Sequence, residues 1–257
     1  MKITQDFIPK KTKRRSGLPL KRVVFLVAHD TGNKNTTARN NVDYYIRSAN
    51  TTEASAHLFV DDKECIECIP AMNSPEKAWH VRYKTPKDNQ MFGVDANDCS
   101  IGVELCYFSD KKRTLKAYDN YLTVLATLCI LYKLDSTNRI VGHHILDPGR
   151  KRDPVNALKT IGKTYTDLLV DVNKRYKELT TTKKSTEATI KVGKIKILKA
   201  INLWRRGSDN KLSFVRILKP GEVYRVYGYD ELHGGQYNVG GGCWITKMDG
   251  YVKYEIL

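Results

Sequence analysis

The chain has 257 residues, 41% of them hydrophobic and 9% aromatic, enough for one large domain or for a large domain with a small companion. Its formal net charge of +16 calls for a polyanionic partner, whether nucleic acid, an acidic membrane surface or an acidic cell-wall polymer, and does not choose among them. No stretch approaches the ~20 apolar residues of a membrane span, and "MKITQDFIPKKTKRRSG" lacks the apolar run of a secretory signal, so a soluble cytoplasmic product without membrane insertion is expected.

In chain order, "VVFLVAHD" reads as a buried strand, and "TTARNNVDYYIRSA" as a helix opened by threonines able to cap it. "AHLFVDD" and "ECIECIP" form a strand pair around an acidic turn, and "CSIGVELCYF" is a further apolar strand. "YDNYLTVLATLCILYKL" carries Leu122, Leu125, Cys129 and Tyr132 at helical spacing and predicts a core helix. "NRIVGHH" is a short strand, and "TYTDLLVDVNKRYKEL" a last helix ending near Leu179. Strands alternating with helices indicate an α/β fold with a mixed central sheet flanked by helices.

Residues 180–189, "TTTKKSTEAT", are polar and lack aliphatic anchors, which predicts a linker between a domain over 1–179 and another over 190–257. Beyond it the pattern changes to short β segments parted by Gly, Asn and Asp turns, the mark of a small all-β barrel. Cys99, Cys106 and Cys129 lie in apolar runs and read as reduced core thiols. Cys65 and Cys68 form a C-x-x-C with no second pair, and their spacing suits a strand better than a zinc or redox site.

The densest chemistry is in "GHHILDPGRKRDP", residues 142–154. Pro148 and Gly149 mark a turn across which His143 and Asp153 can fold back toward one another and share an ion, although a solvated basic loop has the same composition. A third ligand candidate is His29, presented by a strand end; a structural histidine is the alternative there. Glu104, a carboxylate set in an apolar strand, is either costly or functional.

Taken together, "AHDTGN" with His29, "ASAHLFVDD" with His57, "AWHV" with Trp79 and His80, "SIGVELC" with Glu104 and "GHHILDPGRKRDP" occur in the order seen in the zinc-dependent N-acetylmuramoyl-L-alanine amidases. This is the amidase-2 family, whose fold is shared with peptidoglycan recognition proteins. The resemblance covers roughly residues 20–179 and is greatest to the Bacillus phage and prophage endolysins. It implies that His29, His143 and Asp153 bind Zn2+, that Glu104 is the catalytic glutamate and that Lys151 assists it. It also implies cleavage of the bond between N-acetylmuramic acid and L-alanine, with wall action following release from the producing cell. Some members carry tyrosine before the histidine of the "AHLFV" motif; Ala56 stands there in this chain, shifting the chemistry to Glu104 and Lys151. His144 falls at a variable position beside a ligand.

His57, Trp79 and His80 are substrate-binding candidates, with packing as the alternative for Trp79 and a buried hydrogen bond for His57. The C-terminal segment is similar to bacterial SH3-like wall-binding modules. With 12 Lys and Arg against 6 Asp and Glu over residues 190–257, it suits anionic wall polymers. Its Trp244, Tyr237 and Tyr227 read as core residues or as stacking surfaces. Two rival functions are a catalytically silent peptidoglycan-recognition module and a nucleic-acid binder, the latter resting on the charge and on "KKTKRR", otherwise a solvated basic arm.

Overall fold

A computed structural model describes residues 2–83, 85–187, 193–207 and 209–256. The chain divides into two compact units, Met1–Leu179 and Thr180–Leu257. The first carries β1 (Ile3–Gln5), β2 (Phe25–Asp30), α1 (Ala38–Arg47), β3 (Leu58–Val60), β4 (Cys65–Glu67), α2 (Pro86–Phe92), α3 (Ala96–Cys99), β5 (Ser100–Leu105), α4 (Lys111–Tyr132), β6 (Ile140–Gly142), α5 (His143–Leu146), α6 (Val155–Thr160) and the start of α7 (Tyr165–Glu187), which runs on past Leu179. Its sheet runs β1-β4-β3-β5-β2-β6. The β3/β4 pair is antiparallel and every other pairing is parallel, so the sheet is mixed.

Every residue of β2 is buried, which is why residues 25–28 read as an apolar run, with the buried polar pair His29 and Asp30 at its end. The buried residues Ala117, Tyr121, Val124, Leu125 and Leu128 of α4 recur at helical spacing and pack into the same core. Asp110 caps this helix by accepting from the backbone N–H groups of Lys112 and Arg113. Thr37 and Asn40 close a reciprocal capping box on α1. The short helices α2 and α3, of seven and four residues and absent from the sequence expectation, are too short to show a period. All six cysteines are free thiols and five are buried.

The basic N-terminal arm departs from expectation. Arg14 and Arg15 are 2% and 5% exposed, whereas Lys10, Lys11 and Lys13 are exposed, so only the lysines of "KKTKRR" form a solvated basic surface. Arg14 donates from Nε to the Ser48 carbonyl at 3.1 Å, and its guanidinium lies 4.2 Å from the centre of the Tyr45 ring. Arg15 grips Glu76 with two parallel bonds, Nε to Oε2 at 2.7 Å and Nη2 to Oε1 at 2.9 Å. Both arginines are thus committed to contacts within the fold.

A second difference concerns the proposed linker. The helix expected to end near Leu179 continues as α7 to Glu187, because "TTTKKSTE" contains neither Gly nor Pro to stop it and its Lys and Glu suit a helix. The remaining linker positions, 188 and 189, lie outside the described residues. Among the described residues no helix is long and apolar enough to cross a membrane.

The second unit carries β7 (Gly193–Ile197), β8 (Ile201–Arg206), β9 (Leu212–Leu218), β10 (Val223–Val226), β11 (Gly228–Asp230), β12 (Gln236–Gly240), β13 (Cys243–Thr246) and β14 (Val252–Ile256). Three form a sheet ordered β10-β7-β14 and five a sheet ordered β11-β12-β13-β8-β9, all pairings antiparallel. Ile195, Ile197, Leu203 and Ile245, drawn from both sheets, share one small core. Tyr237 belongs to that core, whereas Tyr227 is exposed. Trp244 is half-buried outside it, with the Arg206 guanidinium 3.7 Å from its ring centre.

The Arg15–Glu76 pair generates a stability prediction. Burial opposes the Glu76 charge, but hydrogen bonds from Arg15 and Lys10 outweigh it and hold the carboxyl below its usual range. Arg15→Ala should cost about 3 kcal/mol, the low end for breaking a buried pair, because Lys10 remains 3.1 Å away as a partner. The depressed folded value means that the contribution is complete above the ordinary glutamate range and is lost as pH falls through the folded value. Urea unfolding of both proteins at pH 7 and in acid should therefore show a midpoint gap that narrows in acid.

Candidate functional site

Parallel pairing of β5, β2 and β6 brings three strand ends side by side. His29 is in register with Glu104, and Ala28 with Gly142, so His29 and His143 leave adjacent strands at matching positions. Such carboxyl ends of parallel strands are where open α/β sheets present their ligand sites. Here they border a cleft of about 620 Å³ whose lining includes His29, Glu104, His143, Lys151, Asp153 and Trp79.

From β6 the chain enters the single turn of α5 and returns through a tight loop in which Gly149 takes φ +87° and Lys151 N–H bonds the Asp147 carbonyl at 3.0 Å. The return carries Asp153 to His143. The Asp153 Oδ2 atom lies 2.8 Å from His29 Nδ1 and 3.0 Å from His143 Nδ1. Two neighbours fix the backbone that carries Asp153. The His144 backbone N–H donates to the Asp153 carbonyl at 3.0 Å, and its ring Nδ1 lies 3.3 Å from the same oxygen. Gly142 permits this, since a Cβ there would fall 2.5 Å from the His144 ring. Asp30 Oδ2 accepts from Ala157 N–H at 3.1 Å and pins the start of α6 to the end of β2.

Burial dominates the electrostatics of the site. Burial pushes His29 down to about 4 despite its bond to Asp153. Burial also opposes the Asp153 charge, but hydrogen bonds from His143 and His29 prevail and hold the carboxyl well below the usual carboxylate range. Glu104 is pushed well above its ordinary value, first by burial and then by the charges of Asp153 and Asp30, with Lys151 acting in the opposite direction. Asp30 is raised by burial against its backbone hydrogen bonds.

His29, His143 and Asp153 each offer one donor atom, all within 4.8 Å of one another. Two imidazoles and a carboxylate are a donor set that borderline divalent cations accept. Two buried polar atoms of this region, Glu104 Oε2 and His143 Nε2, have no hydrogen-bond partner, as is usual where a bound group or substrate completes a site. The residues therefore fit a metal ion.

The substrate-binding candidates separate. Trp79 is half-buried on the cleft wall, 5.8 Å between ring centres from Tyr83. His80 borders the cleft but is only 7% exposed, and its Nδ1 lies 3.1 Å from His29 Nε2. His57 does not reach the cleft: it is fully buried, its Nδ1 accepting from Gly102 N–H at 3.0 Å and its Nε2 lying 2.9 Å from the Glu76 carbonyl. A substrate contact from His57 is corrected to the buried hydrogen bonds that were its alternative. Sequence reasoning missed Asp30, Asn97 and Tyr45. An acidic residue directly after His29 at the end of an apolar strand was a readable signal, whereas Asn97 and Tyr45 left none. Asn97 Oδ1 accepts from the backbone N–H groups of His80 and Val81, both at 3.0 Å, and Tyr45 reaches the cleft from α1.

Comparison with known proteins agrees with this geometry. The family model described as N-acetylmuramoyl-L-alanine amidase matches residues 19–156. The chain is similar to the N-acetylmuramoyl-L-alanine amidase CwlL of Bacillus licheniformis, 31% identical over 241 residues, or 90% of this chain and 62% of that protein. It is also similar to BlyA of Bacillus subtilis (strain 168), 32% identical over 146 residues, 55% of this chain and 39% of that one. The chain thus spans less than two thirds of the length of these relatives. Among solved structures, the catalytic domain of XlyA superposes with a TM-score of 0.53 at 25% identity, covering 67% of this chain and 99% of that domain. Because the family model spans more than half of the chain, and the matched stretch contains the strand ends that build the cleft, the protein belongs to the N-acetylmuramoyl-L-alanine amidase family, Amidase_2.

Proposed function

We propose that the first unit is a zinc amidase that hydrolyses the bond between N-acetylmuramic acid and L-alanine in bacterial peptidoglycan, and that the whole chain works as an endolysin of the phage or prophage kind. The observation that carries this reading is the convergence of His29, His143 and Asp153 at one end of a cleft that Glu104 and Lys151 also line. A silent recognition module has no use for a carboxylate whose buried Oε2 lacks a hydrogen-bond partner on the same cleft as three metal-binding donors.

His29, His143 and Asp153 would hold the zinc, which when bound supplies Lewis-acid charge to polarise the scissile carbonyl and ease deprotonation of water toward about neutral pH. Glu104 does the proton work. Its unpartnered Oε2 takes a proton from the attacking water and hands it to the departing amine. Lys151 holds positive charge on the same cleft, where the tetrahedral oxyanion develops. Trp79 and Tyr83 offer ring faces to the sugar-peptide chain. The second unit, basic and outside the matched family region, anchors the enzyme to anionic wall polymers and raises the local substrate concentration.

Three measurements test this reading. Dialysis against a strong chelator should abolish release of new L-alanine N-termini from purified walls, and zinc should restore it; an active protein free of zinc by elemental analysis contradicts the metal role. Glu104→Gln keeps size and hydrogen bonding but not basicity, so it should retain the fold and zinc while turnover drops by about 100-fold or more. Finally, residues 190–257 alone should sediment with walls at low salt and be released as salt screens the attraction, over ~8 Å at physiological strength, whereas residues 1–179 should cleave soluble muropeptides about as well as the full chain. A C-terminal fragment that stays in the supernatant at low salt rules out the anchor.

A further inference from the structure

We propose that His80 is the positioning residue of the metal site: it accepts the Nε2 proton of His29 and thereby commits His29 to ligation through Nδ1. This rests on the reading of His29 as a zinc ligand. The geometry assigns the two faces of that imidazole. Nδ1 points to the cluster, 2.8 Å from Asp153 Oδ2, and Nε2 points away from it, 3.1 Å from His80 Nδ1. A neutral imidazole has one proton, so a ring that ligates through Nδ1 must carry it on Nε2, and a buried N–H needs an acceptor. In most histidine metal ligands that acceptor is a carboxylate, carbonyl or water. Here it is a second imidazole.

The remaining protons fall into place along the same line. For His80 Nδ1 to accept, the proton of His80 must sit on Nε2, which lies 3.4 Å from the Ser100 hydroxyl. Ser100 in turn donates to the Ala96 carbonyl at 2.7 Å. The run His29 to His80 to Ser100 to Ala96 thus gives every donor an acceptor. The reverse direction, with His29 protonated on Nδ1 toward Asp153, would make His80 the donor and turn the Ser100 proton away from Ala96. The two arrangements differ in a measurable tautomer.

His80 is braced for this task from three sides. Its backbone N–H is held by Asn97, and the His57 ring stands edge-on at 5.5 Å between centres. Both nitrogens of His57 are committed to Gly102 and Glu76, so His57 does not compete for the His29 proton. Gly102 completes the cradle: a Cβ there would fall 2.6 Å from His80 Nδ1, the atom that must face His29. Burial of the His80 ring also leaves it little surface to offer a glycan, which moves it from the substrate-binding role to this one.

The test uses the full chain with 15N-labelled histidine. In the zinc-loaded protein, nitrogen NMR should find His29 protonated at Nε2, with a scalar coupling across the hydrogen bond to His80 Nδ1. Zinc affinity by chelator competition should fall about 10- to 100-fold in His80→Leu and recover to within about threefold of the parent in His80→Asn, whose side-chain oxygen can take the place of Nδ1. Zinc uptake with an unprotonated His29 Nε2, or parental affinity in His80→Leu, overturns the positioning role alone. Failure of the unsubstituted chain to bind zinc overturns the metal reading and this role with it. Should His80→Leu not fold, the spectrum of the unsubstituted protein decides.

Discussion

One carboxylate oxygen organises the cleft. Asp153 Oδ2 meets Nδ1 of both His29 and His143, and it does so from a loop that must travel ten residues out and back from the end of β6. A buried charge is tolerated only when partners compensate for lost hydration. Here they stand ready because Ala28 and Gly142 pair across β2 and β6, which sets the next residue of each strand beside its counterpart. The loop is fixed at several points, through the bonds of His144 to the Asp153 carbonyl and through the Asp30 pin on Ala157. Sheet register, loop closure and the convergence of the three donor side chains are thus a single constraint.

That constraint explains where small residues are required. Gly142 lies under the His144 ring and Gly102 under the His80 ring, each position too close for a Cβ. The strands give up side chains at these points so that imidazoles can lie against the backbone. The outcome is a buried group of histidines in which His57 is anchored to backbone atoms and His80 faces both His57 and His29. Histidines of this kind contribute hydrogen-bond direction rather than charge, since burial pushes His57 down to about 4 and His80 well below its ordinary value.

The two units solve stability differently. The first wraps its mixed sheet with long capped helices and uses its N-terminal arm as a strap, with Arg14 lying on Tyr45 and Arg15 clamped to Glu76. The second has a small aliphatic and tyrosine core, and it leaves Phe214, Ile217 and Tyr227 more than half exposed. A large core suits a preorganised cleft. A small basic module needs only enough core to hold its surface.

Much was legible from local pattern. The apolar runs of β2 and β5, the helical spacing of α4 and the turn at Pro148–Gly149 follow from near-neighbour physics, and the order of the motifs identified the trio His29, His143 and Asp153 together with Glu104. Sequence by itself therefore determined the longer elements, the family and the candidates for the chemistry, but not the short helices α2 and α3 or the end of α7. The tertiary structure alone decided which polar groups are buried against which partners. The two histidines His57 and His80 look alike in sequence, yet one is tied to Glu76 and Gly102 and the other to His29, contacts made between residues distant in the chain. Arg14 and Arg15 look like a solvated arm until Ser48 and Glu76 are brought to them. Alternation and spacing report which face of an element is apolar; they hold no record of the distant hydrogen-bond partner that makes a buried polar side chain affordable, and that partner is what assigns each residue its role.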